Sequence, residues 1–340
     1  MERIAEATPF QRPELEPTRK PGASIASVTV AYNGASVIRE HLECLKRQTV
    51  KLDEIIVLDN ASTDKTLTLL GSEYPDVTIL QLQQNCGVGG GLAAGISYAA
   101  RRQQHDWIWI FDQDSLPEAQ CLERLLDAHS YVRDEHRKTA VVAPICVHPQ
   151  TGMMCHGLSW VGDQLLPTAL NPSKPVTLVD SVISSGSLIA REAIEVAGLP
   201  RADFFMDFVD HEYCLRLRRC GFAIAVARDG CVGHTLGEPA KLRFFGRTKY
   251  WSDHAPWREY YMTRNEIFTM WKYYPRIAVK GMTLYRLAWH AAGIFIFGKR
   301  KLECLRMMFR GFIDGRAGRL GVHRFIPGSL QGMSSSISEV

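Results

Sequence analysis

Along the first part of the chain, short apolar blocks rich in β-branched and aromatic residues alternate with stretches whose apolar residues recur at helical spacing. SIASVTVAY (24–32) is an unbroken apolar block and predicts a buried strand, ended by Asn33-Gly34. A helix is expected over roughly 36–48, with Val37, Leu42 and Leu45 inward. DEIIVLDN (53–60) and VTILQL (77–82) read as further strands, separated by a helix that opens at Ser62-Thr63-Asp64. A glycine-rich loop then leads into a helix over 92–104, and DWIWIFDQD (106–114) is a fourth strand ending in two carboxylates. A helix over 117–127 follows, and later VVAPICV, TLVDSVISSGSLIA and FAIAVA look like strands of a mixed extension. Strand–helix repeats at this spacing predict βαβ units, hence an α/β fold with a mainly parallel central sheet flanked by helices. Ligands of such sheets gather at the carboxyl ends of the strands, which singles out the loops 31–34, 59–64, 85–91 and 112–115.

Composition narrows the class. The 340 residues are 46% hydrophobic and 22% charged, which excludes a disordered or collagen-like chain. The longest charge-free stretch of the apolar C-terminal part, Leu287–Gly298, is too short for a membrane span of ~20 residues. Residues 1–23 mix charge with proline and lack an apolar core, so a solvated arm is expected rather than a signal peptide. A similar tail is expected over 331–340. Nine cysteines without a Cys-x-x-Cys pair suit a reducing compartment, so a cytoplasmic location is expected.

The net charge of +4 is unevenly spread. Residues 241–330 carry 18 Lys/Arg against 5 Asp/Glu, a local +13 that leaves −9 elsewhere. This divides the chain into a body over 24–240 and a basic, aromatic, mostly helical extension over 241–330. Interleaved cations and aromatics there fit either the surface of an anionic membrane leaflet or a helical cap with a homodimer surface. No nucleic-acid-binding motif accompanies the charge.

Asp112-Gln113-Asp114 is the sharpest chemical feature. Two acids at the end of an apolar strand could hold Mg²⁺ or Mn²⁺ beside a diphosphate, although an acidic turn capping the next helix gives the same short pattern. The segment Asn85-Cys-Gly87-Val-Gly-Gly-Gly91 leaves backbone N–H groups open to phosphate or sugar oxygens, or is a flexible turn. Asp207, Asp210 and Glu212 precede or open a helix expected over 213–220. There an ionised Asp can act as a general base or simply cap the helix. His234 follows another apolar run and is either a metal ligand or a structural histidine.

Taken in order, Thr29–Asn33, Leu58–Asp64, Asn85–Gly91, Phe111–Ser115, Asp210–Glu212 and Gly233-His234-x-x-Gly237 resemble the inverting family 2 glycosyltransferases of GT-A fold. Within that family the chain is similar to bacterial rhamnosyltransferases of O-antigen and other surface polysaccharides, including the tail motifs Arg264-Asn265 and Gly311–Arg319. The resemblance implies that Tyr32, Asn33, Asp59 and Asn60 line the nucleoside pocket and that Asn85 and Gly87–Gly91 lie along the donor. It implies Asp114 and His234 as metal ligands, Asp112 as a ribose or metal ligand, and Asp210 as the base that activates the acceptor hydroxyl. The implied donor is dTDP-L-rhamnose, the implied cofactor Mg²⁺ or Mn²⁺, and the acceptor a saccharide, free or carried on a polyprenyl diphosphate. An acceptor of that second kind would suit a peripheral position on the inner face of the cytoplasmic membrane.

Two positions depart from the family pattern. Val209 stands where many relatives have Glu, which keeps Asp207 as a rival base, and Gln113 separates the two acids. A UDP-sugar donor, a sugar-phosphate nucleotidyltransferase and a non-catalytic scaffold are the competing readings. The second would need a Lys/Arg-rich phosphate loop after the first strand, where this chain has Asn33-Gly34.

Overall fold

The structure, a computed structural model, describes residues 23–101, 105–134, 138–234, 240–244, 247–251 and 253–322. The expected N-terminal arm (but for Ala23), the tail, and Gly237 lie outside the described residues. The first half runs β1 (Ile25–Ala31), α1 (Ile38–Lys46), β2 (Glu54–Asp59), α2 (Thr66–Glu73), β3 (Thr78–Gln81), α3 (Gly87–Arg101) and β4 (Trp107–Asp112). Short β5 (Leu116–Pro117), α4 (Cys121–Asp134), β6 (Thr139–Val147) and β7 (Met154–Cys155) follow. Next come a side hairpin of β8 (Leu158–Val161) and β9 (Gln164–Pro167), then β10 (Val176–Val179), β11 (Ser187–Ala190) and α5 (Arg191–Ala197). A 3₁₀ turn at Ala202–Phe204, α6 (Val209–Arg219) and β12 (Ala223–Gly233) complete the sheet region.

The main sheet has the order β10-β12-β6-β11-β4-β1-β2-β3. Its β4-β1-β2-β3 half is parallel, and β11 joins it to the mixed half by running antiparallel to both β4 and β6. Side chains of successive strand residues serve opposite layers. Ala26, Val28, Val30, Ile108 and Ile110 pack under α3 and α6, whereas Ile25, Ala31, Trp107, Trp109 and Phe111 pack under α1, α2 and α4. Both faces are therefore covered, which is why these strands read as apolar blocks without alternation. This is the expected α/β architecture, a sheet with a parallel half flanked by helices, with further helices at the C-terminal end.

Three elements differ from expectation. The glycine-rich segment is not a loop: Gly87–Gly91 form the opening turns of α3. A Cβ on Gly91 would stand 2.6 Å from Val30 Cγ1, and one on Gly95 2.5 Å from Val28 Cγ1. Glycine opposes a helix by ~1 kcal/mol each, so the run reads as a loop, but here it lets the helix lie close on β1. The helix expected over 213–220 begins earlier, at Val209, and places Asp210 in its first turn. The extension, expected to be mostly helical from 241 on, opens instead on a hairpin of β13 (Ala240–Phe244) and β14 (Arg247–Trp251). The period-two alternation of Lys-Leu-Arg-Phe was the signal for it.

Beyond the hairpin lie α7 (Pro256–Tyr273), α8 (Ile277–Phe297) and α9 (Lys301–Ala317). α7 and α9 cross closely because α9 offers two glycines one turn apart. Cβ atoms on Gly311 and Gly315 would stand 2.4 Å from the carbonyl oxygens of Tyr260 and Arg264. Among the described residues no helix is long and apolar enough to cross a membrane. Gly311→Leu should lower the unfolding free energy by about 3 kcal/mol, because the added carbons meet backbone rather than a movable side chain. Gly281→Ala in α8, where a Cβ would meet nothing within 4 Å, should be neutral or slightly stabilising. Urea denaturation of both variants checks the pair, and an unchanged midpoint for Gly311→Leu would rule out the tight crossing.

Candidate active site

The parallel half of the sheet ends in a turn whose direction is set by Gln113. The Tyr32 N–H donates to Gln113 Oε1 at 2.8 Å, and Gln113 Nε2 donates back to the Tyr32 carbonyl at 3.1 Å. The residue between the two acids is thus tied to the β1 loop, and a Cβ on Gly34 would collide with the same amide. From the other side, the ring of His41 in α1 bonds the Ser115 carbonyl through Nδ1 and Thr29 Oγ1 through Nε2. Burial pushes His41 down to about 4, so the ring is neutral. A carbonyl can only accept, so Nδ1 carries the proton and Nε2 accepts from the Thr29 hydroxyl. The 112–115 turn is therefore positioned by two neutral side chains.

His234, which follows β12 directly, reaches both acids. Its Nδ1 lies 3.3 Å from Asp114 Oδ1 and its Nε2 3.6 Å from Asp112 Oδ2. Burial disfavours the imidazolium, but the hydrogen bond to Asp114 and the two carboxylate charges outweigh it and raise His234. Burial pushes Asp114 up as well, yet its bond and charge contact with His234 bring it below the ordinary carboxylate range. Asp112 is raised to about 6, first by burial, against the pull of His234 and with the added repulsion of Asp114 and Asp210. Among the described residues no three His, Cys, Asp or Glu side chains form a ready metal cage. Two carboxylates and an imidazole still suit Mg²⁺ or Mn²⁺ when diphosphate oxygens supply the remaining ligands, since Mg²⁺ takes only one or two carboxylates from proteins.

Facing this turn is the loop before α6. Phe205, Asp207 and Phe208 have positive φ of 65°, 54° and 66° without being glycine, and Phe205, with ψ −65°, sits in a tight turn closed by the Met206 N–H on the Phe204 carbonyl at 2.8 Å. The loop is held from α7: Asn265 Nδ2 lies 3.0, 2.7 and 2.9 Å from the carbonyl oxygens of Phe204, Met206 and Asp207. Arg264 Nη2 donates to the carbonyls of Asp203 and Phe204, and the Gly89 N–H of α3 donates to Phe205. This anchoring turns Asp207 onto Arg258, which grips its carboxylate through Nε and Nη2 at 3.1 and 3.0 Å. Asp210 accepts only from the His211 N–H, at 2.7 Å, among its described bonds. Asp112, His234, Asp207, Asp210 and Arg258 line one cavity of about 390 Å³.

The structure separates the remaining expected site residues by what they are bonded to. Glu212 is fully buried and bonded to Arg216 and to the Tyr273 hydroxyl, so it braces α6 inside the core and does not line the cleft. Asn60 spends its amide on the Gly87 carbonyl and the Cys86 N–H, and Asn85 Oδ1 accepts from the Gly87 N–H. Both shape the start of α3. Asn33 (φ 50°) accepts from the N–H groups of Thr63 and Asp64 and joins the two strand-end loops. Gly87 abuts the Phe205 carbonyl and Gly91 the side chain of Val30. Asp59 stands apart from these: Oδ2 accepts from the Ser62 N–H, while Oδ1 is buried with no hydrogen-bond partner. The parts that sequence reading missed are His41, Gln113 as a clamp, Arg258, and the loop-holding role of Arg264-Asn265. The Arg264-Asn265 pair, inside a helix whose buried face also holds Glu259, Thr263, Glu266 and Thr269, carries no local signal for that role.

Residues 27–152 match the family model described as Glycosyl transferase family 2. The dTDP-rhamnosyl transferase RfbF of Shigella flexneri is 24% identical over 89% of this chain and 99% of that protein. The galactofuranosyltransferase GlfT1 of Mycolicibacterium smegmatis is 24% identical over 63% of this chain and 71% of the relative. Among solved structures, GalNAc-T7 with UDP, GalNAc and Mn²⁺ superposes at a TM-score of 0.55 and 16% identity, over 74% of this chain and 48% of that one. The chain thus spans about half the length of GalNAc-T7. TarS 1–349 of S. aureus in complex with UDP-GlcNAc gives a TM-score of 0.51 at 17% identity, over 86% of this chain and 81% of that one.

The depressed His41 makes a prediction about acid stability. A histidine lowered in the folded state contributes stability that is full above its unfolded value of 6.5 and is lost as pH falls through about 4. The loss is about 3 kcal/mol for this group alone. His129, also lowered to about 4 by burial, adds to the loss, while the raised His234 opposes it. His41→Gln keeps one donor and one acceptor but cannot charge. The gap in unfolding free energy between wild type and variant should therefore shrink between pH 6.5 and 4 in urea titrations. Parallel curves would remove His41 as the source.

Proposed function

Because the chain carries a glycosyltransferase family 2 domain and is a glycosyltransferase, we propose that it transfers L-rhamnose from dTDP-L-rhamnose, with inversion, to a saccharide acceptor in surface polysaccharide assembly such as that of O-antigen. The carrying observation is one cavity shared by the strand-end acid Asp112, His234 and Asp210. Donor and base chemistry can then act on one anomeric carbon. The donor assignment draws on the rhamnosyl transferase relative, which matches nearly end to end.

Asp210 takes the proton of the acceptor hydroxyl as that oxygen attacks. Asp207 is the weaker candidate, since its carboxylate is gripped by Arg258. Asp59 Oδ1, buried and without a bond, accepts the N3–H of thymine or uracil. Tyr32, Asn33, Asn60, Asn85, Gly87 and Gly91 shape the nucleotide side around it. Asp114, Asp112 and His234 would hold Mg²⁺ or Mn²⁺. Bound there, the cation would offset the charge of the departing diphosphate. The base supplies ~10²–10⁴-fold.

Attachment to a membrane surface belongs to the same reading. α8 exposes Ile277, Leu284, Tyr285, Trp289, Phe295 and Ile296 along its length, and the exposed Leu302 continues the apolar strip into α9. Arg276, Lys299, Arg300 and Lys301 lie near its ends, a pattern that suits the anionic headgroups of a cytoplasmic leaflet. No nucleic acid is proposed as a partner. A homodimer through this strip is the other outcome of the vesicle test.

Thermal shifts with dTDP-rhamnose, UDP-glucose and UDP-N-acetylglucosamine, each with Mg²⁺ or EDTA, test the donor. A ligand at a hundred times its Kd stabilises by about 2.7 kcal/mol. dTDP-rhamnose with Mg²⁺ should give the largest shift, and a larger shift with a UDP-sugar would move the donor to that class. Asp210→Asn should keep the donor shift and lose at least ~10²-fold in turnover. Wild-type turnover in that variant would remove Asp210 as base. In co-sedimentation, the protein should pellet with phosphatidylglycerol vesicles and not with phosphatidylcholine ones, and Trp289→Asp should weaken pelleting. A protein that stays in the supernatant as a dimer would overturn the membrane surface.

A further inference from the structure

The same cavity continues past Asp210 into a region built by the C-terminal helices. Arg258, Met262 and Glu266 of α7, Arg286 of α8 and Phe208 line it together with Asp210. The lining thus joins residues of the strand ends and α3, such as Asp112, His234 and Val88, to residues of the C-terminal helices. The Glu266 side chain is only 8% exposed, and Arg286 Nη2 lies 2.8 Å from its Oε1. That approach lacks hydrogen-bond alignment, and Glu266 Oε1 has no hydrogen-bond partner.

The contrast with the other buried glutamate pair is informative. Glu212 receives Nε and Nη2 of Arg216, both at 3.0 Å, together with the Tyr273 hydroxyl. A pair that only braces the fold is saturated in this way, because an unfilled buried acceptor costs ~1–3 kcal/mol. Glu266 instead lines a cavity with its Oε1 buried beside Arg286 and without an aligned hydrogen bond.

We propose that Glu266 and Arg286, with Met262 and Phe208 beside them, form the acceptor subsite and bind the hydroxyls of a neutral sugar ring. This inference rests on the glycosyltransferase reading and names the acceptor class for it. A carboxylate accepts from adjacent hydroxyls, a guanidinium donates to their oxygens, and the apolar side chains cover the C–H face of the ring. Charge decides between neutral and acidic acceptors. Asp207 is matched by Arg258, Glu266 by Arg286 and Asp112 by His234, which leaves the Asp210 carboxylate facing the cavity with no cationic partner among its described contacts. A uronic acid or phosphate there would meet net negative charge. His211, whose Nδ1 is bonded to the Ser181 hydroxyl, does not reverse that balance.

Saturation-transfer NMR reads the subsite without any donor. The probes are the methyl glycosides of glucose, galactose, rhamnose and N-acetylglucosamine, and methyl glucuronide, with Mg²⁺ and in the presence or absence of dTDP. At least one neutral glycoside should give a ring-proton signal that falls fivefold or more in Glu266→Gln and in Arg286→Gln. It should be unaltered in Glu195→Gln, an exposed site on α5. Met262→Trp, which fills the cavity while leaving both charged side chains in place, should abolish the signal with an unchanged melting temperature. It covers the case in which the Glu266 variant does not fold. A stronger signal from the glucuronide, no signal from any neutral glycoside under either condition, or equal signals in wild type and all three variants would overturn the subsite. The donor reading fails separately, if wild-type protein shows no shift with dTDP-rhamnose.

Discussion

The three-residue hold of Asn265 on the loop before α6 is the contact on which the rest of the site depends. Phe205, Asp207 and Phe208 occupy positive-φ conformations that side chains of their size avoid, at roughly 1–3 kcal/mol each. The carbonyls of Phe204, Met206 and Asp207 all turn toward the single Asn265 amide, and Arg264 takes up those of Asp203 and Phe204. With those bonds the loop presents Asp207 to Arg258 and starts α6 so that Asp210 enters the cleft. The C-terminal helices are therefore part of the site and not an attachment to it. Gly311 and Gly315 let α9 pass directly over the Tyr260 and Arg264 backbone of α7, beside Asn265 in the chain.

Opposite the loop, the strand-end turn is fixed by neutral groups and carries its charge only on one side. Gln113 and His41 spend their hydrogen bonds on the backbone of Tyr32 and Ser115. Asp112 and Asp114 are left to share His234. The pair is split by environment: Asp114 is held ionised by its bond to His234, and Asp112 is raised by burial and neighbouring carboxylates. A turn that keeps one acid charged and the other easily neutralised can meet a diphosphate and a cation without rebuilding its backbone.

Much of this was legible in the chain. Apolar blocks that end in Asn33, Asp59 and Asp112 gave the parallel half of the sheet and the loops that matter, because a strand covered on both faces has few polar positions. The acids of the 112–114 turn and His234 were visible as polar residues at the ends of apolar runs, and Asp210 as one of the acids before an expected helix. The glycine run misled, since its propensity speaks for a loop and only its contacts with Val30 and Phe205 explain a helix. Asn60, Asn85 and Glu212 carry side chains that suit a ligand, and the fold uses them on its own backbone and on Arg216.

The sequence by itself determined which residues could carry charge at strand ends, because polarity and period are local properties readable from neighbours in the chain. The folded structure alone decided which of them share a cleft. Asp112, Asp210, Arg258, Glu266 and Arg286 come from β4, α6, α7 and α8, and their convergence follows from crossings that no local pattern encodes. It also decided which acids are spent. A carboxylate's role is set by whether its lone pairs are already filled, and that depends on partners tens of residues away: Arg258 for Asp207, Tyr273 for Glu212.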